Sequence, residues 1–174
     1  MSATKTTKTN MTDIQMLKRI LEEKFGWTKF EIKTDDKKPL VNARMWSGQP
    51  DIVNPDLVVR QRDTGGNYAD FAAKRNPDGT LSLSGDPHGL QNIPGYEKYR
   101  GKDADEQAAK FDKDFKDDVE IEYSKKEKEN QATAIGAESI SGWTNAFDER
   151  GEYEVKKMLI DEDSIDQLQD AVVL

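Results

Sequence analysis

Residues 68–85 read YADFAAKRNPDGTLSLSG, and the fold turns on how this stretch is read. Pro77 presets φ for the first central position of a turn, Asp78 suits the second, and Gly79 can take the positive φ that closes the hairpin. After the turn, Leu81–Gly85 alternates apolar and polar residues as a half-buried strand does. Tyr68–Arg75 reads as its partner. Upstream, Asp56–Arg62 (DLVVRQR) reads as a further strand, turned by Gly65-Gly66-Asn67. The expectation is a three-stranded antiparallel meander. Asp86-Pro87-His88-Gly89 follows where the meander runs out. Pro87 lacks the N–H that a ladder needs, so this turn is read as terminating a sheet edge, with the chain's single histidine exposed on it.

Toward the N-terminus, Thr4–Thr9 is rich in β-branched residues and is expected to be a short first strand. Thr12-Asp13-Ile14-Gln15 spells a capping box, with Met11 and Met16 placed as a hydrophobic staple. Ile14, Leu17, Ile20 and Leu21 form an apolar stripe at helical spacing, and Gly26 suits the C′ position. A helix over about Asp13–Phe25 follows. Trp27–Thr34 (WTKFEIKT) places Phe30 and Ile32 on one face and Lys29, Glu31 and Lys33 on the other, as a half-buried strand does.

Beyond Lys102, Ala104, Ala108, Phe111 and Phe115 stand at helical spacing, but Val119, Ile121 and Tyr123 alternate. The reading is a helix around Ala104–Lys116 and a second from Glu120 to Ile135, because one unbroken helix here would be unusually long. Glu138–Phe147 and Tyr153–Ile160 read as a terminal hairpin, and a short helix is expected near 164–172. The whole is expected to be one α+β domain over residues 1–174, an antiparallel sheet of five to seven strands with two main helices on one face. Residues 34–55 and 86–103 read as surface insertions.

Lys8-Thr9, Met11, Asp13, Leu17 and Gly26-Trp27 in the first part, YADFAAKRNPDG in the middle, and Ala132, Gly136 and the turn at Asp148–Gly151 near the end make a further pattern. Together they resemble a family of unknown function found in cyanobacteria and as an open reading frame in algal plastid genomes. The resemblance implies the fold outline. It carries no catalytic residues to these positions.

Composition limits the chemistry. With 174 residues the chain can bury a self-sufficient core. It has no cysteine, which excludes disulfides and thiolate chemistry or metal ligation. The N-terminus has no apolar signal-type core and no run of 18 apolar residues occurs, so the protein is expected to be cytoplasmic, with no membrane contact. Charge is uneven. Residues 1–100 carry 16 Lys/Arg against 13 Asp/Glu, or +3, while residues 101–174 carry 10 against 21, or −11. That acidity argues against direct nucleic-acid contact except at a local patch in the N-terminal part.

No Ser-His-Asp, P-loop, dinucleotide-binding or EF-hand spelling occurs. His88 has only Asp86 beside it, short of the convergent ligands a metal needs and of the partner that fixes a catalytic tautomer. No catalytic residue, metal ligand or cofactor is therefore assigned. Two features stand out. Asp112, Asp114, Asp117, Asp118, Glu120 and Glu122 could present a row of carboxylates to a protein partner with a basic surface, and Met45 and Trp46 could anchor one. The expected function is a non-enzymatic interaction or regulatory protein. Mimicry of DNA against a nucleic-acid-binding protein and metal-dependent catalysis are the alternatives.

Overall fold

The computed structural model describes residues 3–46 and 48–146. The chain divides into two compact units, Met1–Tyr123 and Ser124–Leu174. The sheet and all the candidate site residues lie in the first.

That sheet has five strands, β1 (Lys5–Lys8), β2 (Glu31–Ile32), β3 (Leu57–Val59), β4 (Phe71–Arg75) and β5 (Leu81–Gly85), in the order β1-β5-β4-β3-β2. Every pairing is antiparallel, and the meander β3-β4-β5 is present as expected. The fold is α+β. The registers Leu57↔Ala73 and Ala73↔Leu83 align apolar residues across the sheet. Leu57, Val59, Phe71, Ala73, Leu81 and Leu83 thereby share one face, since successive side chains on a strand alternate. Against this face pack Met16, Leu17, Ile20 and Leu21 of helix α1 (Ile14–Phe25) and Phe111, Phe115, Val119 and Tyr123 from the later helices.

The opposite face carries Val58 and Ala72. It is covered by residues 40–52, whose Leu40, Ala43, Met45 and Ile52 form a second small cluster held by the Ala43↔Ile52 bridge. Leu40, Ala43, Met45 and Ile52, within the segment read as a surface insertion, thus supply the sheet's back layer. The turn at Asp86–Gly89 also differs from expectation. It ends β5, but β5 lies between β1 and β4, so no sheet edge stops there.

The start of α1 is shifted by one residue from the capping box. Asp13 is the N-cap, its carboxylate accepting from the N–H groups of Gln15 (2.9 Å) and Met16 (3.2 Å). The Thr12 N–H, which the reciprocal Gln15 contact of the box would need, donates instead to the Tyr123 hydroxyl at 3.2 Å, as does the Asp13 N–H at 3.0 Å. Met11 and Met16 are nonetheless buried. Gly26, at φ +70°, closes the helix with its N–H on the Glu22 carbonyl, the left-handed cap that glycine adopts without strain.

Helix α2 (Gln61–Thr64) replaces the end of the strand expected over Asp56–Arg62. The two helices expected beyond residue 102 are one continuous helical run. It comprises α3 (Ala104–Lys110), a π-helical turn (Phe111–Phe115) and α4 (Lys116–Ala146). Phe111, Phe115, Val119 and Tyr123 recur at a strict four-residue step, which drifts about 40° per step around an ordinary α-helix. A wider π turn takes up part of that drift. Ile121, which made the pattern resemble a strand, is 52% exposed. Residues 138–146, expected as a strand, are helical too. No proline occurs after Pro94, and Gly136 and Gly142 each cost a helix only about 1 kcal/mol. The rest of the expected hairpin and the short helix near 164–172 lie outside the described residues.

Candidate functional site

The candidate row of carboxylates does not form one face. On one flank of the buried stripe, Asp112 lies 3.8 Å from Lys5, and Glu120 accepts from Asn10 and pairs with Lys116. On the other, the Tyr99 hydroxyl donates to Asp118 at 2.6 Å and accepts from Lys24 at 2.9 Å. Burial first, and then the Asp118 carboxylate, push the Tyr99 phenol well above its ordinary value. Lys24 is lowered by burial, with Asp118 and Glu122 acting against that shift. Asp112, Asp114 and Asp117 are exposed, whereas Asp118, Glu120 and Glu122 are partly buried. Half of the row therefore sits against the helices and turns that carry the core.

A different surface gathers the chemistry. A groove of about 670 Å³ is lined by Arg44, Met45, Trp46, Arg60, Gln61, Arg62, Asn67, Tyr68 and Asp70. Three chain segments meet there: the back layer near residue 45, the exit from β3, and the approach to β4. Asp70, almost wholly buried, ties them together. Its carboxylate accepts from the N–H groups of Arg44 (2.8 Å) and Gln61 (2.7 Å) and from Arg60 Nη1 (3.1 Å). The Asp70 N–H in turn donates to the Arg44 carbonyl at 2.8 Å.

Arg60 spends all its donors on the fold. Nε and Nη2 make a bidentate pair with Glu31 at 2.6 and 2.9 Å. Nη1 reaches Asn42 O and Asp70, and Nη2 also reaches Val41 O. The guanidinium has five N–H donors, so none remains for a ligand. Hydrogen bonds from Arg60 hold the Glu31 carboxyl below its usual range, and the same bonds hold Arg60 firmly charged.

The other two arginines are different. Arg44 is exposed and makes no ion pair among the described residues. Arg62 is 79% exposed; its one ion pair among the described residues is with its neighbour Asp63 at 3.7 Å, and its charge also helps to lower the Glu31 pKa. Two aromatic rings line the same groove. Trp46 is 36% and Tyr68 44% exposed. They meet edge to face at 4.5 Å, and Tyr68 stacks on His88 at 5.8 Å. Met45 is buried as the floor beneath them.

Tyr68 is held by strained backbone. Its φ is +75°, and the Ala69 N–H donates to the Asn67 carbonyl at 2.9 Å, making a γ-turn of the hand that L-residues disfavour. The turn at 86–89 braces it from behind. Asp86 accepts from the N–H groups of His88 and Gly89, and the Asn67 N–H donates to the Gly89 carbonyl. A Cβ on Gly89 would meet the Asn67 carbonyl oxygen at 2.0 Å, so only glycine fits. His88 is half-buried rather than exposed, with Nδ1 3.2 Å from Gln107 Oε1. Asp86 bonds the main chain, not the imidazole ring, so the two do not form a catalytic pair.

Of the anchors expected from sequence, Trp46 and Met45 fall in this groove, Trp46 as an open ring and Met45 as its support. Arg44, Arg62, Asn67 and Tyr68 were not anticipated. The alternation of Arg60 and Arg62 and a tyrosine directly after Gly-Gly-Asn were the available signals. Compared with known proteins, the chain matches no family model, no curated protein and no solved structure. No helix among the described residues is long and apolar enough to cross a membrane.

Proposed function

We propose that this is a non-enzymatic interaction protein whose recognition surface is the groove at Trp46 and Tyr68. The carrying observation is the contrast between Arg60, every donor of which is used internally, and the neighbouring Arg44 and Arg62, which face the same groove with charge to spare. Two exposed rings on a buried, carboxylate-tied scaffold are the kind of preorganised anchor that dominates binding surfaces. Arg44 and Arg62 give the groove local positive charge on a chain of net charge −8, so the exposed Asp112, Asp114 and Asp117 orient the approach of a partner rather than hold it.

The test is capture from source-organism extract with three forms of the chain: unaltered, Trp46→Ala/Arg62→Ala, and Asp112→Asn/Asp114→Asn/Asp117→Asn. The groove reading expects the bound species to be lost from the second form and kept by the third. The reverse pattern would return the binding surface to the helix.

A further inference from the structure

The groove supplies what one particular ligand class needs. Trp46 and Tyr68 are partly exposed at the groove, 36% and 44%, and the ring surface left free by their mutual edge contact and by the Tyr68–His88 stack can take a planar heterocycle. Arg44 and Arg62 present guanidinium groups with no strong internal partner, suited to planar, bidentate recognition of phosphate. Asn67 is exposed beside Tyr68, and its amide carries both donors and an acceptor, the pairing needed for a base edge. Of the carboxylates nearest the groove, Asp70 and Glu31 are neutralised and Asp63 lies 3.7 Å from Arg62, while the exposed Asp51 accepts from the Met45 N–H. Asp70 is bonded to Arg60 and to two main-chain N–H groups, and Glu31 is bonded to Arg60. An incoming phosphate thus meets two cations and few free acids, although the chain as a whole is acidic.

We infer that the groove binds a short segment of single-stranded nucleic acid, with one base stacked on Trp46, a neighbouring base against Tyr68, and backbone phosphates on Arg44 and Arg62. This rests on the groove being the recognition surface, and it replaces the expectation, drawn from net charge, that nucleic acid is not contacted. A duplex is disfavoured, because its bases are already stacked on one another and offer no face to the rings. An acidic peptide would satisfy the arginines but leave the rings and Asn67 with less to do. With only two phosphate contacts the binding is weak and mildly salt-dependent. The slope of log affinity against log salt is about −1.4, at about −0.7 per phosphate on a single strand.

The experiment is fluorescence anisotropy on the full chain with labelled dT12 and rU12 strands, a 12-base-pair duplex and a 12-residue Glu/Asp peptide, with unlabelled UMP as competitor. Strand binding with that shallow slope is expected. Trp46→Ala should weaken it about 5- to 150-fold, the range of a lost base stack. Arg44→Ala/Arg62→Ala should flatten the salt dependence to near zero. All three positions are exposed, so the variants should stay folded with unfolding midpoints close to the wild type's, and such a midpoint shows that any loss is not unfolding. Equal affinity for the duplex, displacement by UMP at the strand's own affinity, preference for the acidic peptide, strand binding untouched by these variants, or no strand binding would each overturn the inference. The capture experiment is independent of these outcomes. If its groove variant still loses a partner while the strands fail to bind, the groove stands and only the ligand class falls.

Discussion

Replacing Tyr68 tests the groove's construction directly, because glycine and alanine should act in the opposite of their usual order. At φ +75° any residue with a Cβ is strained, by about 1–2 kcal/mol. Glycine removes that strain but adds freedom to the unfolded chain, worth about 0.4–1 kcal/mol in the other direction. Tyr68→Gly and Tyr68→Ala lose the same ring, with its edge contact to Trp46 and its stack on His88, so the ring cancels from the comparison. The glycine variant should therefore be the more stable, by roughly 0.8 kcal/mol at the middle of these ranges. Urea unfolding followed by tryptophan fluorescence would show this as a higher midpoint, by a few tenths of a molar for m values of about 1–3 kcal/mol/M. Both variants should bind equally poorly, since binding needs the ring. If alanine is as stable as glycine, the backbone at Tyr68 is not strained and the argument that the fold spends stability to present this ring fails.

Three further outcomes follow from the geometry. Trp27→Ala should destabilise by about 3–5 kcal/mol, because the ring is buried and its Nε1–H donates to the Thr64 carbonyl at 2.8 Å, whereas Trp46→Ala should cost less than about 1 kcal/mol, read from the same urea curves. Asp118→Ala should cost about 1–3 kcal/mol by leaving the buried Tyr99 hydroxyl without its charged acceptor, while Asp112→Asn, Asp114→Asn and Asp117→Asn should each stay within about 0.5 kcal/mol. Arg60 depresses the Glu31 pKa, so the stability Glu31 contributes is complete above the ordinary glutamate value and is lost as pH falls through the lower folded value. Unfolding midpoints measured down an acid series should fall less steeply for Glu31→Gln than for the unaltered chain.

The meander was legible because its signals are local: Pro77-Asp78-Gly79 fixes a turn whatever surrounds it, and Leu81–Gly85 alternates cleanly. Helix α1 was legible for the same reason, although Asp13 rather than Thr12 is the cap and Tyr123, over a hundred residues away, takes the Thr12 N–H. The continuous helix was misread because Val119, Ile121 and Tyr123 satisfy a two-residue alternation and a four-residue step at once. Only burial decides between them. The back layer gave no periodic signal, since one bridge, Ala43↔Ile52, and a turn at Trp46–Gln49 organise it rather than a helix or a strand. The groove was half legible. Trp46 drew notice as an aromatic among prolines and glycines, but which arginine is spent and which is spare depends on Glu31, Asp70 and two carbonyls from other segments. The carboxylate row was read as one face because spacing cannot reveal a π turn or the tyrosine that claims Asp118.

The most direct test of the groove as the recognition surface is an amide and indole NMR titration of the full chain with unlabelled dT12. The account predicts that the Trp46 indole and the amides of Arg44, Gln61, Arg62, Asn67 and Tyr68 shift together along one saturating curve, with Asp112, Asp114 and Asp117 unmoved. Shifts confined to the Asp112–Asp117 segment, with the Trp46 indole fixed, would contradict it.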